Sequence, residues 1–396
     1  MFVYLHPDTS IILSPAWIEI VFWFVLVVAV LYRLGWSGQM ADYLSLWRRN
    51  WLPTLFIVLA FLSVLWSIAP AATWFGSLEL FFATLVGSYF GMRLDPGKLL
   101  DVLFWYGAIL LILSVALVFG APPTGTMYWA PFDGAWRGLF WHRNHLASLT
   151  ALLSVVFLCR TFLAFERRDV TGFLDAIFYL LSVIVLYFTE SATGQILFLI
   201  LNFLVLCIWL WLKIYPRLET WHYVSALGVF TVGSIWIFSN LDIVFGLFNR
   251  NTTLTGRVGL WQVLFRDGVS QRPWWGYGFG AFWTLDTVRE QARLGVGWTS
   301  QPLIADNGFL DILLHLGLAG FGLLLSLVLV ASLRSMRYAL RRKTLEAFFP
   351  GLFIVYVIVA NIPFSMFAET EVFIWFLMIV IIFMTTPLVH LANDVG

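Results

Sequence analysis

Long apolar segments alternate with short polar segments along the whole chain. Eleven of the apolar stretches are long enough to cross a hydrocarbon core of about 30 Å as α-helices. They cover residues 11–32, 52–68, 72–91, 98–119, 144–164, 172–189, 194–213, 221–240, 309–333, 347–363 and 371–390. A helix satisfies its own backbone hydrogen bonds, as hydrocarbon requires. The pattern therefore predicts an all-α integral membrane protein, a bundle of about 11 transmembrane helices.

Composition agrees with a bilayer-embedded chain. Of 396 residues, 61% are hydrophobic and only 11% are charged, and the mean hydropathy is +0.89. The net charge of +1 says nothing about nucleic acid, but the basic residues are spread among loops and not clustered, so no nucleic-acid partner is expected. Cys159 and Cys207 both lie in apolar stretches, so no disulfide or metal framework is expected. The first apolar stretch is expected to be a retained span, because no Lys or Arg precedes it.

The Lys and Arg residues predict the orientation of the bundle. Most of the chain's 23 basic residues fall in alternate short connections, which the positive-inside rule assigns to the cytoplasm. The N-terminus is then outside and the C-terminus is cytoplasmic. This divides the chain into eight spans within residues 1–240, a large outer loop over 241–308 and three spans within 309–396.

The polar motifs gather on the predicted outer side of the membrane. They occupy residues 66–73, 137–145, 189–195, 255–257, 276–280 and 305–308. A site built from them would face away from ATP and cytoplasmic nucleotide sugars. A donor carried across the membrane on a lipid would still reach it.

Three arginines among these motifs carry the strongest chemical signal. Guanidinium groups bind phosphate through paired donors and stay charged at any working pH. Arg137, Arg143 and Arg257 would therefore suit a lipid diphosphate. Contacts with anionic headgroups or with helix ends are the alternative.

A histidine pair follows the first of these arginines. His142 and His145 are three residues apart, but Cys or carboxylate ligands are missing nearby, so no metal site is predicted. Hydrogen bonds to substrate or capping of the fifth span are favoured, and Asn144 is a candidate cap.

The large loop ends in a second polar group. Either Asp306 or Asn307 could cap the ninth span, or Asp306 could act as a general base. Asp311 and His315 lie four apart on one face of that span, where they line a cavity or pair with each other. Within the loop, residues 258–265 and 285–294 predict two short amphipathic helices, and the Gly-rich residues 276–280 predict a tight turn.

Taken together, these motifs resemble the O-antigen ligase and polymerase superfamily (Wzy_C type), and especially its ExoQ-like exopolysaccharide polymerases. The resemblance rests on Thr255-Gly256-Arg257, the glycines at 276, 278 and 280, residues 306–310, and the upstream residues 66–70, 137–144 and 191–194. It implies a GT-C-like helical bundle in the bacterial inner membrane, with the N-terminus and the large loop periplasmic.

The resemblance also implies a reaction. This is inverting, metal-independent transfer from a polyprenyl-diphosphate-linked oligosaccharide donor to a glycan acceptor, without a cofactor. Chain-length regulators and export proteins are possible partners. Arg257 and Asp306 are expected to be catalytic, on opposite sides of the reacting anomeric carbon. The expected substrate-binding residues are Arg137, His142, Arg143, Asn144, His145, Ser191, Thr193, Thr255, Asn307, Asp311 and His315.

Two departures from the family pattern bear on the acceptor. Asp306 stands where ligases commonly have His, and His315 stands where Glu is usual. A carboxylate can also deprotonate a hydroxyl, so the prediction favours a polymerase. A ligase that transfers glycan to lipid A core, a transporter or flippase, and a non-catalytic scaffold are the alternatives.

Overall fold

A computed structural model of the chain describes residues 15–128, 132–215, 257–284, 286–296, 304–366 and 372–386. Most of the residues in these ranges are helical, and the single β pairing among them is an isolated bridge between Thr126 and Trp136. The all-α membrane class predicted from the sequence is confirmed.

Thirteen helices are labelled here in chain order. They are α1 Pro15–Trp36, α2 Met40–Arg49, α3 Trp51–Leu62, α4 Pro70–Arg93, α5 Pro96–Gly120, α6 Arg143–Arg167, α7 Gly172–Phe188, α8 Ala192–Ile214, α9 Arg257–Val263, α10 Asp286–Val296, α11 Gly308–Arg342, α12 Leu345–Ala360 and α13 Val372–Met384.

Ten of the eleven predicted spans coincide with one of these helices, and residues 221–240 lie outside the described ranges. By length and composition, α4, α5, α6, α8 and α11 are long enough to cross a membrane. A sixth span is possible if α1 and α2, bent by 117°, count as one. The remaining apolar helices, α3, α7, α12 and α13, are shorter than a full span. Helix α2 was not predicted, because it is short and charged residues interrupt its apolar ones.

Small residues allow the helices to approach one another closely. A Cβ added to Gly91 of α4 would lie 2.6 Å from the carbonyl oxygen of Val380 in α13. A Cβ added to Gly194 of α8 would lie 2.5 Å from the Cβ of Ala147 in α6. In lipid, where apolar surface alone does not drive association, such close contacts stabilise a bundle through van der Waals packing.

The two ends of the bundle carry different chemistry. One end, called here the basic end, holds ion pairs such as Arg160 with Asp175 at 2.8 Å and Lys213 with Glu166 at 2.8 Å. The other end, called the motif end, brings together the turns at 63–69, 121–128, 132–142, 188–191 and 361–366 with the described parts of the large loop. Every polar motif singled out in the sequence that the structure describes lies at this motif end.

Helix α11 is interrupted near its start. Gly317 has φ 63° and ψ −162°, so the helical hydrogen-bond pattern stops there. Residues 273–278 of the large loop insert beside the break. The amides of Tyr277 and Gly278 donate to the carbonyls of Leu314 and His315, both at 2.9 Å, and the amide of Leu318 donates to Pro273 at 2.8 Å. The inserted segment thereby supplies the backbone hydrogen bonds that the break would otherwise leave open.

Candidate functional site

Arg257 and Asp306 form the charged centre of the motif end. Arg257 is the first residue of α9, and its Nε donates to Oδ2 of Asp306 at 3.0 Å. The two side chains are 13% and 28% exposed, so the pair is shielded but remains accessible from outside. The ring of Phe364 packs beside the guanidinium, 5.9 Å away.

This contact bears on the expectation that the two residues flank a sugar carbon. A direct ion pair at 3.0 Å leaves no space for a substrate atom between the two groups. In the arrangement described, the residues are therefore neighbours, and the flanking geometry requires the pair to open.

The helix cap belongs to Asn307 and not to Asp306. Oδ1 of Asn307 accepts from the amide of Leu310 at 2.9 Å, which is the usual N-cap hydrogen bond. Asp306 precedes it with φ 51°, a left-handed conformation that Asp tolerates better than most residues. The carboxylate of Asp306 is therefore directed at Arg257 and takes no part in capping.

The turn at residues 305–307, called here the Asp306 turn, is held on both sides. The carbonyl of Ala305 accepts from Nε1 of Trp261 at 2.8 Å, one helical turn after Arg257. The amide of Asn307 donates to Oγ of Ser365 at 3.1 Å. Asp306 thus projects from a backbone that α9 fixes on one side and the connection after α12 fixes on the other.

Asp311 lies beneath this turn and is completely buried. Its carboxylate accepts from Nε1 of Trp283 at 2.7 Å, from the amide of Ala305 at 3.3 Å and from the hydroxyl of Ser365. The predicted alternative of pairing with His315 is wrong, because these other donors occupy the carboxylate. Asp311 therefore holds the segments of Trp283, Ala305 and Ser365 together. Its side chain is not exposed to a substrate.

His315 is also buried, one turn further along α11. Its ring packs edge-on against Phe279 of the inserted segment, with 5.9 Å between ring centroids. Its carbonyl accepts from the amide of Gly278. His315 thus belongs to the packing around the helix break.

The two upstream arginines bind backbone carbonyls. Arg137 donates to Thr124 at 2.9 Å and to Pro123 and Trp141 at 3.3 Å. Arg143 donates to the carbonyl of Thr189 at 3.0 Å and to that of Glu190. In this arrangement both guanidinium groups brace loops of the motif end. Of the three predicted phosphate ligands, Arg257 donates to a side-chain carboxylate, that of Asp306.

Helix α6 begins with a connected polar chain. Nδ1 of His142 accepts from the amide of Asn144 at 3.2 Å, and Oδ1 of Asn144 accepts from the hydroxyl of Ser191 at 2.9 Å. Ser191 in turn caps α8 through the amide of Gly194 at 3.3 Å. The other two predicted residues lie nearby: His145 packs beside Trp141, with 5.1 Å between ring centroids, and Thr193 is half-buried in the first turn of α8.

Burial and neighbouring positive charge keep the ring of His142 neutral. Burial is the largest cause, followed by the charges of His145, Arg143, Arg257 and Arg137, and together they lower the pKa of His142 to about 3. The influence of Arg257 places residues 137–145 within electrostatic reach of the Arg257–Asp306 pair. The two groups of motifs therefore belong to one site.

In the part of the chain that the structure describes, no three His, Cys, Asp or Glu residues form a group that could hold a metal ion. Nδ1 of His142 is already engaged as a helix cap. Thr255, predicted to bind substrate, lies outside the described residues.

Known proteins are similar to part of this chain. A family model described as O-Antigen ligase matches residues 177–325, from α7 through the break in α11. The resemblance to the O-antigen ligase family is confirmed. The matched range contains the Arg257–Asp306 pair, the Asp306 turn and the inserted segment, whereas residues 137–145 lie before it.

A curated relative extends the similarity beyond that range. The chain is 24% identical over 306 residues to the exopolysaccharide production protein ExoQ of Rhizobium meliloti (strain 1021). The match covers 74% of this chain and 65% of the relative. With the helical fold, these similarities support a membrane protein of the O-antigen ligase and polymerase type.

Several residues of the site were not found from the sequence. Trp261 was placed on the apolar face of a predicted helix, which gave no sign of its hydrogen bond to Ala305. Ser365 lies in a short connection without a motif. Both act through hydrogen bonds to residues far away in the chain, and a linear pattern carries no signal for such contacts.

Proposed function

We propose that the protein is a glycosyltransferase that polymerises polyprenyl-diphosphate-linked oligosaccharide repeats. It works at the outer, periplasmic face of the bacterial inner membrane, by inversion and without a metal. The observation that carries the proposal is the Arg257–Asp306 pair, a shielded cation in contact with an accessible carboxylate within the family-matched range.

The first step is exchange of partners at Arg257. At rest, Asp306 neutralises the guanidinium. A donor diphosphate carries more negative charge than a carboxylate and offers paired acceptors to the planar guanidinium. Binding of the donor therefore displaces Asp306, and the freed carboxylate becomes available to the acceptor.

The second step is glycosyl transfer. Asp306 takes the proton of the acceptor hydroxyl, and the oxygen attacks the anomeric carbon on the face opposite the diphosphate. The bond from that carbon to the diphosphate oxygen breaks, and the oxygen leaves with the electron pair. Arg257 stabilises the negative charge that develops there. Holding both substrates in line supplies much of the rate, and a general base contributes about 10²–10⁴-fold.

The remaining site residues have supporting roles in this proposal. Asp311 and Ser365 position the Asp306 turn, since neither has an exposed polar atom to offer a substrate. Arg137 and Arg143 brace the loops, and the neutral ring of His142 limits the positive charge around Arg257. His145 and Thr193 stay candidates for substrate contacts, and chain-length regulators and export proteins stay candidate partners.

The same chemistry serves a ligase if the acceptor is lipid A core, and the description of the family model favours this second candidate. The broken helix α11 is a feature that transporters also use. Here, however, a loop segment satisfies the backbone groups around the break, so they are not left to coordinate an ion.

Purified protein incubated with a defined lipid-linked repeat and a chelator tests the proposal. We expect a ladder of products spaced by one repeat, and Arg257→Gln should abolish it. Arg266→Gln is the matched control, because Arg266 lies in the same loop and pairs with the adjacent Asp267 at the surface. A single larger product that appears only when lipid core is added would assign the ligase reaction. A ladder unchanged in the Arg257 variant would refute the role of this residue.

A further inference from the structure

A groove of about 540 Å³ opens beside the inserted segment. Trp66, from the connection between α3 and α4, forms one part of its wall. Residues 272–276 of the large loop form the rest, with the exposed indoles of Trp274 and Trp275 and the guanidinium of Arg272. It is called here the tryptophan groove, and its volume is typical of a small-molecule site.

The walls of the groove are fixed by hydrogen bonds between distant segments. Nε1 of Trp66 donates to the carbonyl of Trp275 at 2.9 Å, and Arg272 donates to the carbonyl of Trp66 at 3.3 Å. Gly276 has φ 65°, and a Cβ there would lie 2.5 Å from the backbone of His315. The aromatic walls are therefore built on the same insertion that fills the break in α11.

Arg272 brings a charge without a carboxylate partner. Among the described arginines of the loop, Arg257 pairs with Asp306, Arg266 with Asp267, and Arg293 with Glu290. Arg272 contacts only a carbonyl and the ring of Tyr277, 4.9 Å away, within the ranges the structure covers. An oriented, exposed guanidinium of this kind is complementary to an anion, and to phosphate above all.

Exposed apolar residues flank Trp66 on both sides along the chain. Leu65, the residue before Trp66, is 82% exposed, and Leu62, Trp74 and Phe75 on the adjoining helices are exposed as well. Exposed tryptophans of this kind are typical of the membrane–water boundary. A ligand with its phosphate at Arg272 could therefore lay an apolar chain along α3 and α4.

We propose that the tryptophan groove binds the diphosphate headgroup of the lipid-linked acceptor. This inference rests on the proposed polymerase function. Each turnover of such an enzyme joins two lipid-linked glycans, and Arg257 accounts for only one of the two diphosphates. The groove supplies the second cation, the aromatic surface beside it and the path for the second lipid.

The number of bound lipids tests the site independently of catalysis. Native mass spectrometry with a short-chain polyprenyl diphosphate that carries no sugar should detect two ligands on the wild-type protein. Arg272→Gln and Arg257→Gln should each retain one, and Arg266→Gln should retain two. Two ligands on the Arg272 variant would overturn the proposal. So would equal competition by phosphatidylglycerol, because the groove would then be a general anionic-lipid contact.

Kinetics should separate the two substrates. With a preassembled polymer as donor and a labelled single repeat as acceptor, Arg272→Gln should raise the KM for the acceptor about tenfold or more, as loss of a charge-assisted contact predicts. The KM for the donor should not change, and an equal rise in both values would contradict an acceptor site. The wild-type protein could form no polymer while Arg272→Gln still binds one lipid fewer than the wild type. In that case the proposed function fails and the second lipid site stands.

Discussion

The indole N–H of Trp261 donates to the carbonyl of Ala305 across 2.8 Å. Trp261 lies one helical turn after Arg257, and Ala305 immediately precedes Asp306. One short helix therefore carries the cation of the site and also anchors the backbone that presents the carboxylate. The distance between Arg257 and Asp306 is therefore set by the hydrogen bond from Trp261 to Ala305 as well as by the attraction between the two charges.

Trp261→Phe should remove the hydrogen bond to Ala305 while retaining most of the aromatic volume. Losing one buried hydrogen bond costs about 1 kcal/mol of stability, but small misplacement of reacting groups can cost up to about 10²-fold in rate. We therefore expect a much larger fall in kcat than the shift in Tm would suggest. Trp209→Phe is the control, because it removes a similar hydrogen bond, to Glu166, at the basic end. Equal effects of the two changes on kcat would contradict the positioning role.

Asp306→Asn isolates the chemistry of the carboxylate. Asn tolerates the left-handed backbone at this position, and the helix cap at Asn307 is untouched. The fold should be preserved, and the transfer rate should fall by about 10²–10⁴-fold because the base is lost. The measurement is single-turnover transfer together with thermal unfolding in detergent. Full activity in this variant would exclude Asp306 as the base.

The depressed pKa of His142 predicts a dependence of stability on pH. The ring titrates near 6.5 in the unfolded chain and at about 3 in the folded protein. Between these values the unfolded state binds a proton that the folded state does not. The contribution of His142 to the free energy of unfolding is therefore fully present above about pH 6.5 and is lost as the pH falls towards 3. The steepest slope from one such group is about 1.4 kcal/mol per pH unit.

His142→Asn tests this dependence. Asn retains the ability to cap α6 but does not titrate. Thermal unfolding between pH 4 and pH 7.5 should show a flatter profile for the variant than for the wild-type protein, with similar stability near neutrality. Parallel profiles over this range would show that His142 is readily protonated in the folded protein.

Gly317→Ala tests the insertion at the helix break. The residue has φ 63°, and an added Cβ would lie 2.3 Å from the backbone of Trp274. The variant must therefore shift the inserted segment, at a cost of about 2–4 kcal/mol. Gly322→Ala is the matched control in the same helix, because a Cβ there meets nothing within 4 Å. We expect lower Tm and lower activity for the first variant and an unchanged or slightly higher Tm for the second. Equal stability of the two variants would contradict a fixed insertion.

The apolar pattern predicted the helices well, because twenty or so apolar residues have few alternatives to a helical span. It also predicted both short helices of the large loop. It did not predict the break in α11. Gly317 stands within residues 309–333, which the apolar pattern assigns to one continuous span, and the hydrogen bonds that permit the break come from residues 273–278, about forty positions earlier.

The candidate site was predicted in part. The pattern singled out Arg257, Asp306 and Asn307, but it did not decide which of the last two caps the helix. The choice of cap depends on the backbone conformation of Asp306, whose φ of 51° leaves the capping position to Asn307. It also assigned Arg137 and Arg143 to phosphate, whereas both reach backbone carbonyls in this structure. A guanidinium binds carbonyl and phosphate oxygens alike, and the sequence carries no information on which of them lies within reach.

The inserted segment also determines when the motif end can form during synthesis. Trp66 and Trp275 are 209 positions apart, and the backbone that receives the segment is made only when residues 314–319 emerge. A chain that stops before α11 contains Arg257 and can form the contacts between Trp66 and Trp275, but it lacks the backbone of residues 314–319 that receives the inserted segment. The charged centre of the protein is therefore assembled late, after the greater part of the bundle has already entered the membrane. A nascent chain therefore lacks the complete Arg257–Asp306 centre while the rest of the protein is still being made.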